Sequence, residues 1–131
     1  MWQQKIGRMS PKNFVLYNAI ISNKKPMLHF LSGGMSKRDV GGNYRYERRT
    51  KLYQKKFVFD EDQTRYAEFI NLPKILANYY NGKYSDMIEY REKMPNGEIR
   101  LLRLTLKVFP VPRSTEIEAF YLFEDVDSLL S

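Results

Sequence analysis

The apolar positions of this chain repeat with period two towards its C-terminal end. In residues 98–109, Leu102, Leu104, Leu106 and Val108 fall on one side, with Arg100 sharing their parity at the start. Arg103, Thr105 and Lys107 fall on the other. Such alternation predicts a half-buried antiparallel strand. Residues 85–94 and 116–126 read as strands on either side of it. Pro95-Asn96-Gly97 joins the first two, and Asn-Gly accepts the positive φ of a tight hairpin turn. The third strand is apolar on both faces, with Ile117, Ala119, Tyr121 and Phe123 on one and Phe120, Leu122 and Val126 on the other. A strand of that kind is either central with both faces covered, or it turns one face to a partner.

Upstream, residues 13–21 form an apolar run whose β-branched and aromatic content favours a strand. A turn over 23–26 and a short strand over 27–31 complete a predicted hairpin. Residues 32–46 hold four of the seven glycines and read as a loop, with a helical turn around 35–40. Residues 44–59 mix tyrosines with bases and show no clear period. Asp60-Glu61-Asp62 looks like the acidic cap of a helix over 63–70, striped by Tyr66, Phe69 and Ile70. Asn71 and Pro73 open a second helix carrying Ile75, Leu76, Tyr79 and Tyr80, closed by Asn81-Gly82. The expected class is α+β: an antiparallel sheet of about five strands with helices packed on one face. Residues 1–11 are expected to be a flexible segment and 12–131 a single domain.

Composition narrows the chemistry. At 131 residues, 43% hydrophobic and 15% aromatic, the chain can bury a core. It has no cysteine, so disulfides and thiolate chemistry are ruled out. No apolar run approaches the ~20 residues of a membrane helix, and the first residues lack a signal-peptide core. The expected location is cytoplasmic, with no membrane insertion in this segment. The net charge of +7 is unevenly spread: residues 37–56 hold eight bases and two acids. Arg45, Arg48, Arg49 and Lys51, with Tyr44, Tyr46, Tyr53 and Phe57 interleaved, form a candidate surface for nucleic acid or an anionic protein. A solvated face, or one that pairs with the acidic residues near the C-terminus, is the plainer account and the favoured one.

Catalytic signals are missing. The single histidine, His29, lies in an apolar run and reads as a core or edge residue rather than a base. There is no nucleophile motif, paired-histidine metal spacing or phosphate loop. Asp60-Glu61-Asp62 is better explained as a helix start than as a cation site. The expectation is a chain that is not an enzyme.

Three stretches, in order, resemble the PAS domain. Phe57-Val58-Phe59-Asp60-Glu61-Asp62 resembles its apolar run before an acidic helix start. Glu89-Tyr90-Arg91 followed by Pro95-Asn96-Gly97 resembles its Glu-Tyr-Arg and Asp-Gly turn. Glu124-Asp125-Val126-Asp127 resembles the acidic end of its last strand. The resemblance covers about residues 57–127. It implies a PAS-like sensory or interaction module of a larger bacterial signalling protein, regulating a downstream output domain of the same polypeptide such as a diguanylate cyclase. Asp125, Val126 and Asp127 would then be the signal exit, and a homodimer would form through a face containing Ile117, Ala119, Tyr121 and Phe123. A small-molecule ligand is left open. No cofactor is evident: a flavin–cysteine adduct is excluded because cysteine is absent, and haem is disfavoured because His29 falls in a strand.

Overall fold

In the computed structural model, the structure describes residues 10–22, 25–35 and 45–127. Apart from Met35, the expected helical turn over 35–40 lies outside the described residues, as does most of the expected flexible N-terminal segment. Five strands form one antiparallel sheet: β1 (Phe14–Ile21), β2 (Leu28–Ser32), β3 (Ser85–Lys93), β4 (Ile99–Pro110) and β5 (Ile117–Asp125). Their spatial order is β2-β1-β5-β4-β3. Three helices are described between β2 and β3: α1 (Tyr46–Phe57), α2 (Gln63–Phe69) and α3 (Leu72–Tyr80). The protein is therefore α+β, with helices packed on one sheet face, and this arrangement is compatible with a PAS-like fold.

The alternating strand forms as its pattern predicts. Leu102, Leu104, Leu106 and Val108 are buried against the helices. The β3–β4 turn differs in detail from a two-residue Asn-Gly turn. Gly97 N donates to Met94 O at 3.0 Å, which places Pro95 and Asn96 at the turn centre. Positive φ falls on Gly97 (86°) and not on Asn96. Proline's fixed φ suits the second position of a common turn, and the left-handed residue follows it.

β5 lies at the centre of the sheet, between β1 and β4. This resolves its two apolar faces and corrects the expected self-association face. Ile117, Ala119 and Tyr121 are at most 2% exposed, and they lie with Phe123 in the core between sheet and helices. Side chains committed to the core offer nothing to a second copy. On the opposite face Leu122 is also fully buried.

The stretch without a clear period is α1. Lysine, arginine, glutamate and glutamine favour a helix, and the buried stripe is Tyr46, Arg49, Thr50 and the half-buried Tyr53. Asn71 caps α3 as expected, accepting from Lys74 N at 3.0 Å. Asp62 does not cap α2; its carboxylate goes to Arg91 instead. The loop after β2 runs against the start of β1. Met35 N donates to Phe14 O at 2.9 Å. At Gly33 (φ 99°) a Cβ would come within 2.4 Å of Phe14 O, so only glycine fits.

Candidate functional site

Helices and sheet close over a cavity of about 40 Å³. That is room for a few waters, given the ~10–15 Å³ that one needs. Its wall is tyrosine-rich and drawn from distant parts of the chain: Tyr17 of β1, Tyr46 and Tyr53 of α1, Tyr66 of α2 and Tyr121 of β5. Arg49 and Thr50 of α1, Glu92 of β3 and Phe123 of β5 line it as well, and apolar side chains such as Val15 and Leu102 fill the rest.

These side chains form two hydrogen-bonded chains. In the first, Tyr121 Oη donates to Tyr46 Oη at 2.8 Å, and Tyr46 Oη donates to Ile70 O at 2.7 Å. This joins the central strand, through α1, to the end of α2. In the second, Tyr53 Oη donates to Glu92 Oε2. A hydroxyl has one proton, so Tyr90 is the donor in its 2.6 Å contact with Tyr53 Oη. Glu92, 1% exposed, is held from its other side by Arg100 Nη2 at 2.5 Å. A buried carboxylate without such partners would be costly.

Burial pushes the hydroxyls of Tyr46, Tyr53, Tyr66 and Tyr90 well above the usual tyrosine range. Neighbouring tyrosines push further, and for Tyr53 and Tyr90 the Glu92 charge does too. Tyr121 is also raised, chiefly by burial. All five stay protonated at neutral pH, and each can donate one bond and accept others. The Arg49 guanidinium lies 5.0 Å from the centroid of the Tyr17 ring, and its Nη2 donates to Tyr17 Oη at 3.0 Å. The cavity thus pairs an aromatic wall with neutral hydroxyls, one arginine and one arginine-bound carboxylate. It offers hydrogen-bond donors and acceptors set beside aromatic rings.

The anticipated basic surface divides in two. Arg45, Arg48 and Lys51 are exposed, whereas Arg49 is 8% exposed and turned into the cavity. A helix sends residues 48 and 49 about 100° apart. Arg45 and Arg48 line an open groove with Lys25 and Glu47. His29 is exposed on β2. Among the described residues, no group of three or more His, Asp or Glu side chains could hold a metal ion. No helix there is long and apolar enough to cross a membrane.

The three stretches that carried the resemblance lie close to the cavity or to one another. Val58 bridges Glu92, and Asp62 Oδ1 accepts from Arg91 Nη2 at 2.8 Å, so the first stretch is clasped to the second. Asp125 ends β5, two residues beyond the cavity-lining Phe123, and Asp127 N donates to Asp125 Oδ1 at 3.0 Å. Val126 is buried and Asp127 exposed.

Sequence reasoning placed Tyr46 and Tyr53 on a surface, Tyr66 in a helix stripe and Tyr121 on a dimer face, and missed that they meet around one cavity. A usable signal was present in α1, where Tyr46, Arg49, Thr50 and Tyr53 recur at helical spacing inside a basic run. No family model matches the chain, and no curated protein matches it.

Proposed function

We propose that the chain is a non-catalytic sensory or interaction module, PAS-like in kind, that regulates an output domain of a larger bacterial signalling protein such as a diguanylate cyclase. The observation that carries this reading is the tyrosine-lined cavity between α1 and β5. A small polar molecule entering it would compete for hydrogen bonds with the Tyr46, Tyr53 and Tyr121 hydroxyls and with Arg49. Those groups sit on two elements, so occupancy would alter how α1 packs on the central strand. The change would leave through β5, whose cavity residues Tyr121 and Phe123 precede Asp125-Val126-Asp127. A ligand acts here by its different affinity for two packings, a population shift.

Native mass spectrometry of freshly purified protein tests the sensing step. A retained small molecule, lost in Arg49→Met, supports it. Empty protein, with no thermal shift from any compound of a metabolite library, counts against it. The exit step is tested by replacing Asp125 and Asp127 in the full-length protein. Output should change while the melting curve of this domain stays where it was; unchanged output removes the exit role.

The groove beside Arg45, Arg48 and Lys25 favours a second reading, a basic module for nucleic acid or an anionic protein. Binding to random oligonucleotides that weakens steeply with salt, and is lost on Arg48→Glu, would favour it over the first.

A further inference from the structure

The exposed bases of α1 stand in a line. At about 100° per residue, Arg48, Lys51 and Lys55 fall within about 60° of one another, and all three are exposed. The buried Tyr46, Arg49 and Thr50, with Tyr53, take the opposite side of the same helix. The ion pairs of the described residues join the acids of 60–62 and β3 to Arg65, Lys83 and bases of β3 and β4. None of them takes in a base of α1. Glu47 is the one acid of α1 and lies in its first turn. At its start the line meets the groove where Arg48 stands with Arg45 and Lys25. Like charges fixed on one helix face and left unpaired attract a partner of opposite sign. Among the described residues of α1, no ring shares this face. Tyr46 is 1% exposed, and the Tyr53 hydroxyl goes to Glu92. Phe57 falls on the inward side by the same spacing, its ring centroid 5.9 Å from that of Tyr53. Tyr44 lies outside the described residues.

We propose that this face of α1 lies along the phosphate backbone of a double-stranded nucleic acid and binds it without reading sequence, which rests on the reading of the chain as a basic module. Bases without rings decide among the polyanions. Single-strand binders draw ~1–3 kcal/mol per base from stacking on aromatic side chains. Protein interfaces are poor in lysine and rely on buried aromatic anchors. A helix lying on a membrane needs an apolar strip, and half-buried Leu52 is the one apolar side chain beside these bases. A duplex backbone asks only for charge, and its charge density exceeds that of a single strand. Arg48 and Lys55 are seven residues apart, roughly 10 Å of helix, which is the axial length of about three phosphates of one strand. Contacts to phosphate set position and orientation and carry no sequence information. With three of them, the logarithm of the binding constant should fall against that of salt with a slope of about −3.

Fluorescence anisotropy of the whole chain with a labelled DNA duplex of random sequence, from about 50 to about 200 mM salt, reads the slope directly. Affinity should fall about fortyfold across that range and change little between duplex sequences. Lys51→Gln and Lys55→Gln should each lower the slope by about 1. Lys74→Gln, at an exposed position of α3, should leave it unchanged. Both lysines of α1 are exposed and glutamine is a good helix former, so the melting curves of these variants should match the parent. The single strand of the same sequence, phosphatidylserine vesicles and polyglutamate complete the comparison, and the duplex should bind tightest. A single strand that binds as well as the duplex overturns the proposal and leaves the basic-module reading standing, as does tighter binding to polyglutamate. Tighter binding to vesicles, or a slope that neither lysine variant changes, overturns it too. No binding to any of these at low salt removes the proposal and the basic-module reading together.

Discussion

Asp62→Ala tests how the helical layer is fastened to the sheet. Asp62 is 3% exposed, and its carboxylate accepts from Arg91 N at 2.8 Å, Nε at 3.0 Å and Nη2 at 2.8 Å. Arg65 Nη2 approaches at 3.3 Å. Hydrogen bonds to a charged group contribute about 1.5–3 kcal/mol each but do not add. The two guanidinium side chains, 40% and 56% exposed, regain water when the carboxylate goes. Counting only the protected contacts of Asp62, the substitution should cost about 2–4 kcal/mol. That corresponds to roughly 6–16 °C in melting temperature for a chain of this size. Asp62→Asn keeps an acceptor without the charge and should cost about half as much. The pH dependence follows from the hydrogen bond from Arg91, which holds the Asp62 carboxyl well below the usual carboxylate range although burial pushes it up. Because the folded value is depressed, the unfolded state binds the proton more readily. The contribution is full above the unfolded value of about 4 and is lost as pH falls from there through the folded value. Urea unfolding of parent and Asp62→Ala followed by circular dichroism from about pH 8 to about pH 3 should give a constant gap above about pH 5 that narrows in acid. A gap under about 0.5 kcal/mol at pH 7, or one that does not narrow, refutes the reasoning.

Gly33→Ala should destabilise by about 3 kcal/mol or more, because strain at positive φ adds to a backbone clash with Phe14 O. Gly97→Ala, with open space around it, should cost only about 1 kcal/mol, and equal losses in chemical denaturation would contradict the close approach at Gly33. Glu92→Ala strands the Arg100 guanidinium, 12% exposed, and should cost about 3–5 kcal/mol. Adding Arg100→Met should recover part of that loss in a double-mutant cycle, and strict additivity would mean the pair is not coupled. Tyr121→Phe removes the donor to Tyr46 while sparing the bond to Ile70 O, so about 1 kcal/mol is expected by thermal melting.

The sheet was legible where each residue reports its own side. In β4, period-two alternation of leucines with charged or polar residues needs no knowledge of the rest of the chain. β5 was legible as a strand, and its two apolar faces correctly allowed a central position. Its place next to β1 depends on a non-local register, Tyr17 opposite Tyr121, that no local pattern encodes. α1 was hidden because its buried stripe is not apolar in composition: two tyrosines, an arginine and a threonine face the core. Arg49 sits in the same basic run as Arg48 and differs from it only in direction, so a charge count treats both as surface. The cavity was less legible still. Its tyrosines come from β1, α1, α2 and β5, and tyrosine reads as ordinary core until the hydroxyls are seen to meet. Those hydroxyls carry a physical consequence. An apolar core of the same shape would hold α1 on β5 by area alone, tolerant of small shifts. Here Tyr121, Tyr46 and Ile70 O are linked by directional bonds at 2.8 and 2.7 Å. Bonds of this kind weaken steeply with misalignment, so a molecule competing for one hydroxyl, as the proposed function requires, would disturb the seating of α1 on the central strand. On the proposed sensory reading, polar atoms that cost stability to bury are what would let this core respond.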